Sequence, residues 1–227
     1  MLSYTEENYL KALLSLTGFE KGNEEAGTNE LALQLGVKPA TANDMLKKLR
    51  EKGYLEYEKY GKIRLSDTGR QSAILVLRKH RLWETFLHQK LEFTWDEVHE
   101  VAEQMEHIQS EKLIEKLDWF LSYPQFDPHG DPIPNAAGQM PGYERVLLSE
   151  LELSIPCRVA AVKNTSPAFL QYLGHLGIGV GTILTITAKV EFDSSLQIQF
   201  DNRAQMISSK FAENLWVELF ENPNHCE

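Results

Sequence analysis

Histidine and glutamate are concentrated in one nine-residue run, His99-Glu100-Val101-Ala102-Glu103-Gln104-Met105-Glu106-His107. On a helix turning about 100° per residue, His99, Glu103, Glu106 and His107 fall within roughly one quadrant. A second run, His80-Arg81-Leu82-Trp83-Glu84, places a His and a Glu four residues apart, on adjacent turns of one face. Imidazole nitrogen mixed with carboxylate oxygen suits Mn(II), Fe(II), Zn(II) or Ni(II) better than Cu(I), which prefers thiolates. Two such helices packed together would enclose a divalent cation, whereas either run alone also fits a solvated helix face. A third segment, Phe126-Asp127-Pro128-His129-Gly130, holds a carboxylate and an imidazole on either side of a proline. By itself it fits turn chemistry as well as metal binding.

The elements that must position these groups follow from hydrophobic spacing. Ser66-Asp67-Thr68-Gly69 opens a long helix carrying Leu75, Leu77, Leu82, Phe86 and Leu87 together with the His80/Glu84 pair. Thr94-Trp95-Asp96-Glu97 is a capping box that starts the helix of the His99–His107 run. Ser110 caps a further helix bearing Leu113, Ile114, Leu117, Phe120 and Leu121, too apolar to stand in water. A homodimer seam and a buried intramolecular core both account for it. Residues 123–143 hold five of the nine prolines and read as a stiff linker, neither helix nor central strand.

Upstream, Thr5 is placed to cap a helix over Tyr9, Leu10, Leu13, Leu14 and Leu16 that ends near Gly18. Thr28–Val37 reads as a short helix stopped by Gly36, and Lys38-Pro39-Ala40-Thr41 opens another running through Met45, Leu46 and Leu49 to Gly53. Two short helices with a Gly-bearing turn describe a helix-turn-helix. The β-formers of Tyr54–Leu65 around a Gly-centred turn add a hairpin wing. Net charge is −10, but residues 1–65 carry ten Lys/Arg against ten Asp/Glu, so all the excess acid lies beyond them. Within Lys38–Arg64 eight basic residues face four acidic ones, which makes this the one stretch where phosphate is welcome. Thr41, Asn43, Asp44 and Lys47 are the expected base contacts, with Lys38, Lys48, Arg50, Lys59, Lys62 and Arg64 on phosphate and Pro39 at the head of the recognition helix. A winged helix used only for protein contact is the other reading.

From Leu151 onward, short β-branched and apolar runs (Cys157–Val162, Ile183–Thr187, Val190–Phe192, Leu196–Phe200, Trp216–Leu219) alternate with Gly and Ser turns. They describe a small, partly open barrel of about 70 residues. Gly174, Gly177, Gly179 and Gly181 mark tight bends there, and His88, His175 and His225 take surface or packing roles. No catalytic constellation is expected, and the metalloprotease pattern HExxH fails because Glu103 stands four residues after His99. Cys157 and Cys226 form no CxxC, the start lacks a charged and apolar leader, and no apolar run approaches the roughly 18 residues of a membrane span. The expected setting is the cytoplasm, without membrane contact.

Over nearly its whole length the chain resembles the metal-dependent bacterial repressors typified by the diphtheria toxin repressor and the manganese transport regulator. The carriers are Glu7-Asn8-Tyr9-Leu10, the winged helix, Arg78-Lys79-His80-Arg81-Leu82-Trp83-Glu84, the His99–His107 run, Pro128-His129-Gly130 and the C-terminal β domain. The implied architecture is mostly α with a β C-terminal domain. It comprises a winged helix-turn-helix over 1–66, a helical metal-binding and dimerisation domain with its Pro-rich linker over 67–143, and an SH3-like small β-barrel over 150–220. The resemblance implies a metal-loaded homodimer that binds palindromic double-stranded operators and represses metal-uptake genes. It also implies one metal site on His80, Glu84 and His99, another on Glu103, Glu106 and His107 with a first-helix residue at Asn8, and further ligands at Asp127 and His129. Asn8 stands where manganese-type members have Asp and iron-type members Met, and Lys11 where some members place a ligating Glu. Glu103 replaces a Cys of iron-type members, which favours Mn(II) over Fe(II). Residues 164–168 offer no carboxylate, so ligands that the family draws from its SH3-like domain are not expected. A repressor responding to Fe(II) and a winged-helix sensor of a small organic ligand are the alternatives; a metal hydrolase would need an open coordination position and a general base.

Overall fold

The computed structural model describes residues 2–18, 25–57 and 62–219, leaving Lys59 and His225 outside the described residues. The chain packs as two units. One comprises Met1–Trp83, Ala102–Tyr123 and Ile133–Met140, the other Glu84–Val101, Pro124–Pro132 and Pro141–Glu227.

In the first unit, helix α1 (Tyr4–Thr17) is capped by Ser3, not by Thr5. The Ser3 hydroxyl accepts from Glu6 N–H while the Glu6 carboxylate accepts from Ser3 N–H, a reciprocal box for which Thr5 has no acidic partner three residues on. Its inner face buries Tyr9, Leu10, Leu13 and Leu14, and with them the carboxylates of Glu6 and Glu7. Helices α2 (Thr28–Gln34) and α3 (Pro39–Glu51) follow, with Pro39 at the first turn of α3. Strands β2 (Leu55–Tyr57) and β3 (Lys62–Leu65) form the expected wing, and β1 (Ala26–Gly27) pairs with β3 as a third strand. Two residues without alternation give no periodicity to read, so β1 is invisible in the sequence.

Helix α4 (Asp67–Leu91) runs 25 residues. At Gly69 an added Cβ would lie 2.0 Å from the Tyr54 carbonyl oxygen, so a glycine lets the start of α4 approach the wing. Helix α5 (Val98–Met105) ends earlier than the His99–His107 run. Glu106 N–H still reaches the Ala102 carbonyl four residues back, but Ile108 N–H takes that of Met105 three residues back, and this tightening carries His107 off the helical spiral. Helix α6 (Glu111–Phe120) is capped by Ser110 as expected. It buries Ile114 and Leu117 in its own unit, while Trp119 is 61% and Phe120 52% exposed.

In the second unit, β4 (Val146–Leu147), β5 (Pro156–Val162), β6 (Ile183–Lys189), β7 (Leu196–Phe200), β8 (Arg203–Ile207) and β9 (Leu215–Leu219) form one antiparallel sheet in the order β4-β9-β5-β6-β7-β8. Among the described residues the sheet does not close into a barrel, since β4 and β8 end the order. Val190–Phe192 is a turn beyond β6, with Phe192 97% exposed. The sequence reading missed β8, whose Arg, Gln and Met leave only Ile207 buried. It also missed helix α7 (Pro167–Leu176), where Gly177 in the left-handed region is a helix stop rather than a bend. Helix α8 (Ser209–Ala212) precedes β9, and Leu148, Cys157, Val159, Leu170, Leu173, Ile198 and Val217 lie in the core, with Trp95 packed against it. No helix among the described residues is long and apolar enough to cross a membrane.

Candidate metal centres and nucleic-acid face

In the first unit, His107 lies over the start of α1. Its Nδ1–H donates to Glu7 Oε2 at 2.6 Å, and Tyr4 stacks on the ring at 4.7 Å and 15°. A carboxylate only accepts, so the proton of this bond is on Nδ1, and Nε2 is aimed at Glu106 Oε1, 3.8 Å away. Glu106 Oε1 and Asn8 Oδ1 are both buried and accept no hydrogen bond from the described residues. Buried oxygens are ordinarily satisfied, so Glu106 Oε1 beside the His107 ring is a candidate donor pair for a hard or borderline divalent cation, and Asn8 Oδ1 is a further unsatisfied oxygen of the same unit.

The other oxygen of Glu106 is occupied. Oε2 accepts from His80 Nδ1 at 2.6 Å and from the Lys11 ammonium at 2.7 Å. Lys11 also reaches Glu103 Oε1 at 2.5 Å. Burial opposes ionisation of Glu106, but the His80 bond and the Lys11 charge outweigh it and hold the carboxyl below the usual range. Burial likewise pulls the nearby Lys79 ammonium down, offset in part by Glu7 and Glu106.

The second unit gathers Glu84, Asp127 and His129, all buried, with ligand atoms within 4.8 Å of one another. His129 Nε2 donates to the Trp95 carbonyl at 2.7 Å, which puts a proton on that nitrogen and aims Nδ1 at Glu84 Oε2, 3.9 Å away. Asp127 Oδ1 accepts from His129 N–H and Asp131 N–H, both at 2.9 Å, and these bonds lock the loop around its proline. His99 Nδ1 is 3.3 Å from Glu84 Oε1. The loop rests on β5: Val162 N–H donates to the His129 carbonyl, and a Cβ at Gly130, where φ is +85°, would stand 2.0 Å from the Ala160 carbonyl oxygen. The Pro-rich segment is therefore packed ligand scaffold as well as connection.

Of the nine ligand residues expected from the sequence, His80, Glu103, Glu106, His107 and Asn8 thus sit in the first unit, and Glu84, His99, Asp127 and His129 in the second. The sequence reading missed Glu7 as the residue that orients His107. Its signal was available, because Glu7 lies at i, i+3, i+7 with Leu10 and Leu14, a charge on an apolar face. The Trp95 carbonyl had no such signal, since any residue supplies one.

The expected recognition helix is amphipathic. Ala42, Leu46 and Leu49 are fully buried, while Thr41, Asn43, Asp44, Lys47, Lys48 and Arg50 are exposed, as are Lys38 and Pro39. Asp44 lies 3.8 Å from Lys47, so its charge is partly balanced within α3. On the wing, Lys62 pairs with Glu25 at 2.6 Å and Arg64 with Glu56 at 3.5 Å.

A winged helix joined to buried histidine and carboxylate sets defines a DNA-binding protein of the metal-responsive class. Family models described as the iron dependent repressor N-terminal DNA binding domain, its metal binding and dimerisation domain, and the FeoA domain match residues 1–63, 66–135 and 146–219. The iron-dependent repressor IdeR of Mycobacterium tuberculosis is 32% identical over 172 residues, covering 71% of this chain and 72% of its own. The diphtheria toxin repressor of Corynebacterium jeikeium is 30% identical over 241 residues, covering 94% and 96%. A solved manganese-dependent transcriptional repressor in complex with manganese superposes with a TM-score of 0.82 at 33% identity, covering 95% of this chain and all of the other. The apo form of the manganese-activated repressor ScaR gives 0.72 at 31%, covering 94% and 100%. The chain belongs to the iron-dependent repressor family of metal-dependent, DNA-binding transcriptional repressors, as its resemblance implied.

Proposed function

We propose that this chain is a Mn(II)-activated homodimeric repressor that acts in the cytoplasm on palindromic operators of metal-uptake genes, a regulator without turnover of its own. The observation that carries the choice of metal is the donor chemistry. Asn8 Oδ1, Glu106 Oε1 and His107 Nε2 in one set, and Glu84, Asp127, His129 and His99 in the other, offer only oxygen and nitrogen. Sulfur, the softer ligand, is missing from both, and this favours Mn(II). The manganese dependence named for the solved relatives supports the same assignment. Fe(II) is the second reading, favoured by the iron dependence named for the mycobacterial relative.

When bound, the ion supplies a positive charge that draws these donors together. The protein does the rest. Glu7 and the Trp95 carbonyl hold His107 and His129 in the tautomers that present a lone pair, and Asp127 fixes its own loop. Asn8 belongs to α1, which buries Tyr9, Leu10, Leu13 and Leu14 in the same core as Leu46 and Leu49 of α3. Metal held by Asn8 together with Glu106 and His107 stabilises that arrangement of α1 by RT ln(1 + [M]/Kd), and with it the setting of the recognition helix. A palindrome demands a fixed spacing between two such helices. The apolar residues that α6 leaves exposed, Trp119 and Phe120, fit a seam with a second copy.

The test is fluorescence anisotropy of a labelled fragment from upstream of the gene, with metal-free protein and then with Mn(II) or, anaerobically, Fe(II). A rise in affinity of at least about tenfold, 1.4 kcal/mol of coupling, that His107→Ala abolishes is the expected result. Equal affinity with and without chelator would overturn the reading in favour of a sensor of a small organic ligand.

A further inference from the structure

Lys11 stands inside the ligand cluster of the first unit, yet it can ligate nothing while it is protonated. Its side chain is only 16% exposed, and its ammonium is the shared partner of Glu103 and of the fully buried Glu106. An ammonium donates up to three hydrogen bonds and accepts none. At 2.5 and 2.7 Å from two carboxylate oxygens, it does for them what a divalent ion would do: it bridges and neutralises them. Glu106 is divided as a result, with Oε2 tied to Lys11 and His80 while Oε1 is left facing His107.

We propose that Lys11 is a built-in counter-cation that reserves Glu103 and half of Glu106, so that a metal ion can use Glu103 only by displacing the ammonium. Lys11 thereby acts as a specificity-determining residue. It confines the first-unit site to Asn8, the free oxygen of Glu106 and His107, and it sets the affinity threshold by competition. It also keeps the metal-free protein folded, because two carboxylates this close repel one another when nothing positive stands between them. The proposal rests on the metal-responsive reading for its ligand, but its electrostatic part can be measured without metal.

The test compares wild type, Lys11→Met, Glu103→Gln and the double variant on the full-length chain. In excess chelator, Lys11→Met should melt lower by at least about 4 °C, and adding Glu103→Gln should restore most of the loss because it removes one of the two charges that Lys11 balanced. Titration with Mn(II) should then show Lys11→Met binding at least about tenfold tighter than wild type, with Glu103→Gln cancelling that gain. If Lys11→Met does not fold, Glu103→Gln alone still decides the matter. It frees the ammonium to bind Glu106 alone and should leave wild-type Mn(II) affinity unchanged, whereas a loss of about tenfold would make Glu103 a ligand already engaged and overturn the proposal. Unchanged or weaker Mn(II) binding by a folded Lys11→Met also overturns it. Mn(II) bound by none of the four proteins, with the melting coupling intact, would support the counter-cation and overturn the manganese reading instead.

Discussion

His107 donates its Nδ1–H to Glu7 Oε2 at 2.6 Å, while Gln109 holds the other oxygen of Glu7 at 2.7 Å. The imidazole is therefore aimed by a carboxylate that is itself fixed. Replacing Glu7 with Gln keeps the shape but allows the ring to flip or change tautomer. The expected outcome is a Mn(II) affinity about 10- to 100-fold weaker, read by titration calorimetry, and an unchanged dissociation constant would remove Glu7 from the site.

Asn8 supplies a neutral oxygen that accepts no hydrogen bond from the described residues. Asn8→Asp should tighten Mn(II) binding by about tenfold, as a charged ligand replaces an amide. The same change should lower the melting temperature in chelator, because it puts a buried carboxylate where an amide stood, in a unit that already buries Glu7 and Glu106. Opposite signs in the two measurements are the signature, and a shift of the same sign in both would contradict it.

Gly130 admits no side chain against β5. Gly130→Ala should lift the Asp127–His129 loop from the sheet and destabilise the second unit by about 1–3 kcal/mol. On the proposed assignment, calorimetry should then record the loss of one metal equivalent, that of Glu84, Asp127 and His129, with binding at Asn8, Glu106 and His107 retained. Full stoichiometry in the variant would mean that the loop ligands are dispensable.

On the nucleic-acid face, Lys48→Ala should weaken binding to all sequences alike and reduce the slope of log K against log salt by about one. Asn43→Ala should instead relax the preference at one base position, at a loss of about 1–3 kcal/mol. Competition with scrambled operators at several salt concentrations separates the two behaviours.

Glu6 is held below the ordinary carboxylate value of 4.5, chiefly by the hydrogen bond from Lys52 and also by those from Ser3. A group depressed on folding contributes stability that is present above its unfolded pKa and lost as pH falls through the folded value. The wild type should therefore lose this contribution below about pH 4.5, whereas Glu6→Gln should lack it at neutral pH and show a flatter acid limb. Parallel acid titrations of the two proteins monitored by circular dichroism test the assignment.

The long helices and the winged helix were legible because each carries periodicity or a cap over many residues. What escaped reading was set by contacts distant in sequence or by the backbone. The pairing of β1 with β3 needs the whole wing in place, the Trp95 carbonyl has no side-chain signature, and α7 was hidden by glycines whose role as a stop depends on the helix before them. The His99–His107 run shows the same limit. Its composition marked candidate donors, but the tightening after Met105 that turns His107 toward Glu7 is a local choice of hydrogen bond that composition does not encode.

The seat of the Asp127–His129 loop on β5 also has a meaning in the order of synthesis. β5 pairs with β9, the last strand of the sheet, at Cys157 with Leu219 and Val162 with Leu215. Since domains generally fold as units while the ribosome delivers them, every residue of the first unit has been made by Met140, and its ligand set can be assembled early. The set on Glu84, Asp127 and His129 gains its firm base only when Leu215–Leu219 has been delivered. A nascent chain would thus acquire its two ligand sets at different moments, the second some eighty residues later, at about 4–16 s for ordinary elongation rates.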